Sequence, residues 1–190
     1  MEIESEMRVI AGTARRLPLK TLPGMDTRPT TDRTKETLFN ILQPVMGDCI
    51  FLDLFSGSGA IGIEALSRGS AATVFVENNP KAAACIKENL EFTHLADKAE
   101  IMKNDVLTAL RMLEGREPFD CIFMDPPYGR EIEKEVIQYL SDSSLAGSKT
   151  IIVVEADLKT NFDYLEENGF VLDKYKKYKT NAHIFIKKRQ

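Results

Sequence analysis

The chain has 190 residues, of which 43% are hydrophobic and 28% charged, with a formal net charge of −4. This composition suits one soluble globular domain that buries roughly 70% of its unfolded surface. No apolar run approaches the ~20 residues of a membrane span and the Met1-Glu2-Ile3-Glu4 start lacks a basic leader, so a cytoplasmic protein without membrane attachment is expected.

Residues 1–6 are acidic and unpatterned and read as a frayed tail before a second beginning at Met7. Arg8–Ala11 and Leu17–Leu22 predict two short strands joined around Gly12-Thr13, a hairpin too small to stand alone. Pro23-Gly24 turns the chain, and Arg28-Pro29-Thr30-Thr31-Asp32 is a proline-stiffened approach to a helix capped by Thr31 or Asp32. In that helix Leu38, Ile41, Leu42 and Val45 fall at i, i+3, i+4 and i+7, giving one apolar face and leaving Arg33 and Lys35 to solvent. From Arg8 to Lys35 seven cations stand against two acids, a local excess of +5. Local charge outweighs the negative total wherever phosphate contacts are local.

Phe51–Gly62 reads as a buried strand, Cys49–Phe55, running through a glycine loop into a helix over Ala60–Arg68 with Gly69 as its stop. Gly57, Gly59 and Gly62 have dinucleotide-fingerprint spacing, but Asp53 just ahead of them would repel a pyrophosphate. A cation is welcome there, and S-adenosylmethionine (SAM) carries both a sulfonium and an ammonium. Strand Ala72–Glu77 leads to a helix capped by Asn79 with Pro80 at its first position. Strand Ala99–Lys103 precedes a helix over Val106–Leu113, and strand Asp120–Met124 precedes a helix over Glu131–Leu140. Lys149–Val154 is another apolar strand, followed by a short helix near Asn161–Glu167 and a closing antiparallel hairpin, Phe170–Lys176 with His183–Lys187. A second basic cluster, from Lys174 to Arg189, closes the chain. Repeated βα units predict a mostly parallel sheet with helices on both faces, an α/β fold.

Ligands of such sheets sit outside the carboxyl ends of the strands. Asp53, Glu77, Asp105 and Asp125 fall at four successive strand ends and would line one rim. Glu77, 20 residues after Gly57, is placed to accept from both ribose hydroxyls, and Asp105 from an adenine amine. The candidates for cofactor binding are Asp53, Phe55, Gly57, Gly59, Glu77, Asn78, Asp105 and Val106. Asp125-Pro126-Pro127-Tyr128 is the most specific signal: two prolines remove two amide donors and leave acceptors, while Tyr128 offers an aromatic face. The Asp125 carboxylate and the Pro126 carbonyl would both accept from an exocyclic amine, which makes Asp125, Pro126, Pro127 and Tyr128 the catalytic candidates. Cys49, Cys85 and Cys121 lack metal-ligand spacing and read as buried thiols; His94 and His183 stand isolated, and no metal is expected.

Arg8-Val9-Ile10-Ala11-Gly12, Arg28–Arg33, Glu36–Leu42, Leu52–Gly59, Glu64–Gly69 and Asp125–Tyr128 together resemble the RsmD family of bacterial 16S rRNA guanine-N2 methyltransferases, over the chain from Met7 to about Ile186. The resemblance implies a class I SAM-dependent methyltransferase fold with a seven-stranded sheet, an N-terminal hairpin that helps engage rRNA, and methylation of one guanine in small-subunit rRNA. The expected partner is 16S rRNA or the assembled small ribosomal subunit, and a monomer is expected. On that basis residues 7–47 form the RNA-engaging extension, with Arg8, Arg15, Arg16, Lys20, Arg28 and Arg33 as phosphate-contacting candidates, and residues 48–190 form the methyltransferase domain. Ser56 stands where the family commonly has Ala, and Lys179 where Gly is expected in the last turn. Three other readings stay open: a DNA adenine-N6 methyltransferase, an NAD-binding oxidoreductase, and an RNA-binding assembly factor that holds SAM without turnover.

Overall fold

Apolar runs too short for helices, such as Phe51-Leu52, Val74-Phe75-Val76 and Ile122-Phe123-Met124, become strands covered on both faces, and the segments between them cross over as helices. The computed structural model describes residues 7–23 and 31–190. The expected tail at 1–6 and the Arg28-Pro29-Thr30 approach, Arg28 included, lie outside the described residues. The elements are α1 (Asp32–Met46), β1 (Ile50–Leu54), α2 (Ala60–Ser67), β2 (Ala72–Val76), α3 (Pro80–Phe92), β3 (Ala99–Met102), α4 (Val106–Leu113), β4 (Cys121–Met124), α5 (Ile132–Asp142), β5 (Ile151–Asp157), β6 (Phe170–Lys177) and β7 (Asn181–Lys188). They form one seven-stranded sheet in the order β3-β2-β1-β4-β5-β7-β6. Its first five strands are parallel, and β7 runs antiparallel to both β5 and β6. This is the α/β architecture expected of a class I methyltransferase, and the order reverses between β1 and β4, the switch point outside whose carboxyl ends such sheets bind ligands.

On one face α1 lays Leu38, Phe39, Leu42 and Met46 on Phe51, Cys121, Phe123, Val153 and Phe185. On the other, Val106, Ala109 and Leu110 of α4 and Val136, Ile137 and Leu140 of α5 cover Leu52, Ile122, Met124, Ile152 and Val154. The three thiols are free and buried, and among the described residues no helix is long and apolar enough to cross a membrane.

The N-terminal segment departs from its expected form. In place of two strands there is a single antiparallel bridge, Arg8 with Pro18, flanked by Val9 N–H to the Leu17 carbonyl (3.0 Å) and Leu19 N–H to the Met7 carbonyl (2.7 Å). The reason is competition for donors. Ile10 and Ala11 N–H donate to the Glu64 carboxylate at 2.8 and 3.0 Å, and Ala14 N–H donates to the Ser67 hydroxyl at 2.9 Å, so these donors go to α2 and the pairing within the segment stops short of two strands. Gly12 is needed at this contact: its φ is +86°, and a Cβ there would sit 1.8 Å from the Ser67 carbonyl oxygen.

Lys35 is also misplaced by periodicity alone. It is fully buried, its Nζ donates to the Arg8 carbonyl and lies 3.6 Å from the Glu64 carboxylate, and Arg68 Nε donates to the same carboxylate at 2.7 Å. Burial pushes the Lys35 pKa down, while the Glu64 charge opposes that shift. Lys35 thereby joins α1, the N-terminal segment and α2.

Smaller differences follow from pairing. Leu54, not Phe55, ends β1, because Phe55 turns left-handed at φ +60°. Strand β5 starts later and runs on through Glu155-Ala156-Asp157, because β7, which begins at Asn181, supplies partners for all three. The short helix near Asn161–Glu167 is a 3-10 turn over Asp163–Asn168. Thr31 is the cap of α1, its side chain accepting from Thr34 N–H. The β6–β7 turn closes with Tyr178 N–H on the Asn181 carbonyl (2.8 Å), and Lys179 is not left-handed.

Candidate active site

The loop after β1 is shaped by two acids. Asp53, buried near the end of β1, accepts from Gly62 N–H at 3.0 Å and so ties α2 to the strand. Gly62 can approach only because it lacks a side chain: a Cβ would lie 2.3 Å from the Phe75 ring. Glu77, just past β2, accepts from Gly57 N–H and Asn79 N–H, each at 2.8 Å, and so holds the loop on the β2 side. Between them Ser56 Oγ donates to the Asp53 carbonyl at 2.7 Å, which gives the hydroxyl at this position a seat. Gly57 and Gly59 are left-handed, and α2 starts immediately after Gly59. Asp105 caps α4 by accepting from Thr108 N–H at 3.0 Å, and hydrogen bonds from Thr108 hold its carboxyl below the usual range. Asp105 and Asn78 are exposed, and Val106 is buried in the first turn of α4.

On the neighbouring strand Asp125 follows β4, half-buried, with Pro126 buried and Pro127 and Tyr128 exposed. Burial pushes the Asp125 carboxyl up to about 8, and the neighbouring charges of Glu155 and Asp53 add to it. Asp53 is likewise pushed up to about 8 by burial, with the Glu77 charge adding and the Gly62 N–H opposing. Burial, then the charges of Asp125 and Glu155, push the Tyr128 phenol up to about 12. The four rim acids therefore sit at the carboxyl ends of β1 to β4, and Asp53 and Asp125 stand on paired strands, with Leu54 opposite Met124.

The rim has a fifth acid that sequence reasoning missed. Glu155 lies on β5 opposite His183, whose Nε2 is 3.0 Å from the Glu155 carboxylate and whose Nδ1 is 3.1 Å from the Tyr178 hydroxyl. His183 is fully buried, so it is not the isolated residue expected. The available signal was the acid that directly continues the apolar run of β5, with a histidine two residues into the last strand.

Of the cationic candidates, Arg8, Arg15 and Arg16 line one pocket of about 280 Å³ with Val9 and Ile10. Arg8 Nε also pairs with Asp32 at 2.7 Å. Lys20 is turned towards α3, paired with Glu88 at 2.5 Å, and does not join that pocket. Arg33 is exposed on the first turn of α1. A larger cavity of about 410 Å³, lined by Ile50, Val74, Glu100, Arg116 and Phe119 among others, opens at the opposite, amino ends of β1 to β3 and contains none of the rim acids. Among the described residues no cluster of His, Cys, Asp or Glu could hold a metal ion.

Comparison with known proteins agrees with this geometry. Residues 7–187 match the family model described as Conserved hypothetical protein 95. Ribosomal RNA small subunit methyltransferase D of Escherichia coli (strain K12) is 35% identical over 165 residues, 86% of this chain and 81% of that protein. YlbH of Bacillus subtilis (strain 168) is 40% identical over 152 residues, 80% of this chain and 83% of that protein. The solved structure of yhhF from Escherichia coli superposes with a TM-score of 0.82 at 32% identity, covering 97% of this chain and 98% of that one. The match over residues 7–187, together with these relatives, places the chain in the Conserved hypothetical protein 95 family, which is the RsmD family.

Proposed function

We propose that this protein is a SAM-dependent rRNA methyltransferase that methylates the exocyclic N2 amine of a guanine in 16S rRNA. The observation that carries the reading is the juxtaposition of Asp53 and Asp125 at the ends of the paired strands β1 and β4, one beside the glycine loop and one heading Asp125-Pro-Pro-Tyr128. The donor set fits SAM: an acid-lined rim for a cationic ligand, a loop turned left-handed at Phe55, Gly57 and Gly59, and Glu77 at the distance for a ribose. When bound, SAM supplies an electrophilic methyl group on a positively charged sulfur.

In this reading Glu77 takes the ribose hydroxyls, Asp105 and the start of α4 take the adenine, and Asp53 faces the methionyl end. The Asp125 carboxylate and the Pro126 carbonyl accept from the two protons of the guanine amine, which localises a lone pair otherwise spread into the ring. Tyr128 stacks on the base, which must leave its helix or start unpaired. The N2 lone pair forms the new N–C bond as the C–S bond breaks, with the departing electron pair staying on sulfur. The proton lost from N2 passes to the Asp125 carboxylate, whose raised pKa makes it a competent acceptor near neutral pH. Orientation of the near-attack pair supplies ~7 kcal/mol or more. Arg8, Arg15, Arg16 and Arg28 hold flanking phosphates, residues 7–47 acting as the RNA-engaging extension of a methyltransferase domain at 48–190.

The test is methyl transfer from tritiated SAM to unmodified small subunits, free 16S rRNA and DNA, followed by nucleoside digestion. Label in N2-methylguanosine supports the reading. Label in N6-methyladenine of DNA, binding of SAM without transfer, or NAD binding in its place refutes it.

A further inference from the structure

Between β5 and β7 lies a polar cluster that the transfer chemistry above does not use. His183 has a partner on each ring nitrogen, and the tautomer with its proton on Nε2 satisfies both: that N–H donates to Glu155, and Nδ1 accepts from the Tyr178 hydroxyl. The ring is wedged edge-on against Phe123 of β4 (6.1 Å between centroids, 83° between planes). Asn181 Nδ2 donates to the other oxygen of Glu155, and the Asn181 side chain eases the Tyr128 phenol down against the larger upward push of burial. A buried carboxylate is tolerated only when its oxygens are hydrogen-bonded, and here each has a donor. Its position suggests a use. Met124 stands opposite Val154 in the β4–β5 register, which brings the next residues, Asp125 and Glu155, side by side at the rim.

We propose that Glu155, clamped by His183 and Asn181, is a positioning residue for methyl transfer: it presents a fixed negative charge to Asp125 beside it on the rim and holds Asn181 on the Tyr128 side of the cluster. The two groups that grip the target base are thereby tied to one buried carboxylate. This rests on the methyltransferase reading of Asp125 and Tyr128 given above. The charged groups facing Asp125 are Asp53 from β1 and Glu155 from β5; those facing Tyr128 are Asp125, Glu155 and Asp157. After burial, the Glu155 charge is the largest influence raising the Asp125 carboxyl.

The experiment uses the full chain and four variants, Glu155→Gln, Glu155→Asp, Asn181→Ala and Tyr178→Phe. Three quantities are read: SAM affinity by calorimetry, the plateau single-turnover rate on unmodified small subunits across pH, and the carboxyl titration of Asp125 by ¹³C NMR in the free protein. Glu155→Gln is expected to keep SAM affinity within about threefold, to lower the pH at which Asp125 titrates, and to cut the plateau rate about tenfold or more. Asn181→Ala is expected to cut the rate about fivefold while the Asp125 titration stays in place, and Tyr178→Phe to show a smaller loss. Glu155→Asp restores the charge but not its reach, so it should recover the titration and not the rate. A folded Glu155→Gln protein with a wild-type rate and titration overturns the proposal. Should that variant fail to fold, wild-type rates in both Asn181→Ala and Tyr178→Phe overturn it. Wild-type protein that transfers no methyl to RNA refutes the methyltransferase reading and the proposal with it, whereas active wild type with unaffected variants sinks only the positioning role.

Discussion

Asp53 Oδ2 accepts a 3.0 Å hydrogen bond from the backbone N–H of Gly62, so the acid at the proposed cofactor site is also the one that seats α2 against β1. Gly62→Ala puts a methyl group 2.3 Å from the Phe75 ring and should break that seat. A loss of about 2 kcal/mol is expected, read as a lower denaturant midpoint, together with weaker SAM binding. Unchanged stability would mean that Phe75 yields freely.

Ligand affinity should depend on pH through the same carboxyls. Asp53 and Asp125 are both pushed up to about 8, and a cation favours their ionised forms. SAM binding is therefore expected to tighten as pH rises from 6 towards 8.5, by at most about tenfold per unit for each proton released. Calorimetry in buffers of different ionisation heat counts the protons. Asp53→Asn should flatten the dependence, and S-adenosylhomocysteine, which lacks the sulfonium charge, should show less of it.

Asp125→Asn separates chemistry from binding. It keeps the shape of the corner but removes the proton acceptor, so turnover should fall about a hundredfold or more while SAM still binds. Stability should move the other way. The folded protein holds the Asp125 proton up to about 8, whereas the ordinary value is 3.8, so wild-type stability falls as pH rises between these values. The variant lacks that fall and should melt higher than wild type at pH 8.5, by about 1–2 kcal/mol.

Replacing Arg15, Arg16 and Arg28 together should weaken RNA binding and reduce its salt slope by about two to three. SAM affinity should stay within about twofold, because Arg15 and Arg16 touch none of the glycine-loop hydrogen bonds. Filter binding over a salt series reads the slope, and a parallel loss of SAM affinity would point to misfolding instead.

Much of the fold was legible in the sequence because it rests on local signals: apolar runs for strands, Asn79 and Pro80 for the start of α3, acids at strand ends for the rim. The misses come from long-range partners. Lys35 reads as a surface cation by helical phase, and only the Glu64 carboxylate and Arg8 carbonyl, distant in sequence, draw it inside. Glu155 and His183 are 28 residues apart, and no periodicity announces that an antiparallel register will set them opposite each other. The N-terminal segment looks like a hairpin until α2 competes for its donors.

That competition has a mechanical consequence. Gly12 lies flush on Ser67, and Ile10 and Ala11 donate to Glu64, on the same two-turn helix whose first residue follows the glycine loop. Under the proposed function, the segment that carries the arginines and the loop that would cradle the methyl donor are therefore the two ends of one short helix. Polyanion capture and donor binding would then share a single part.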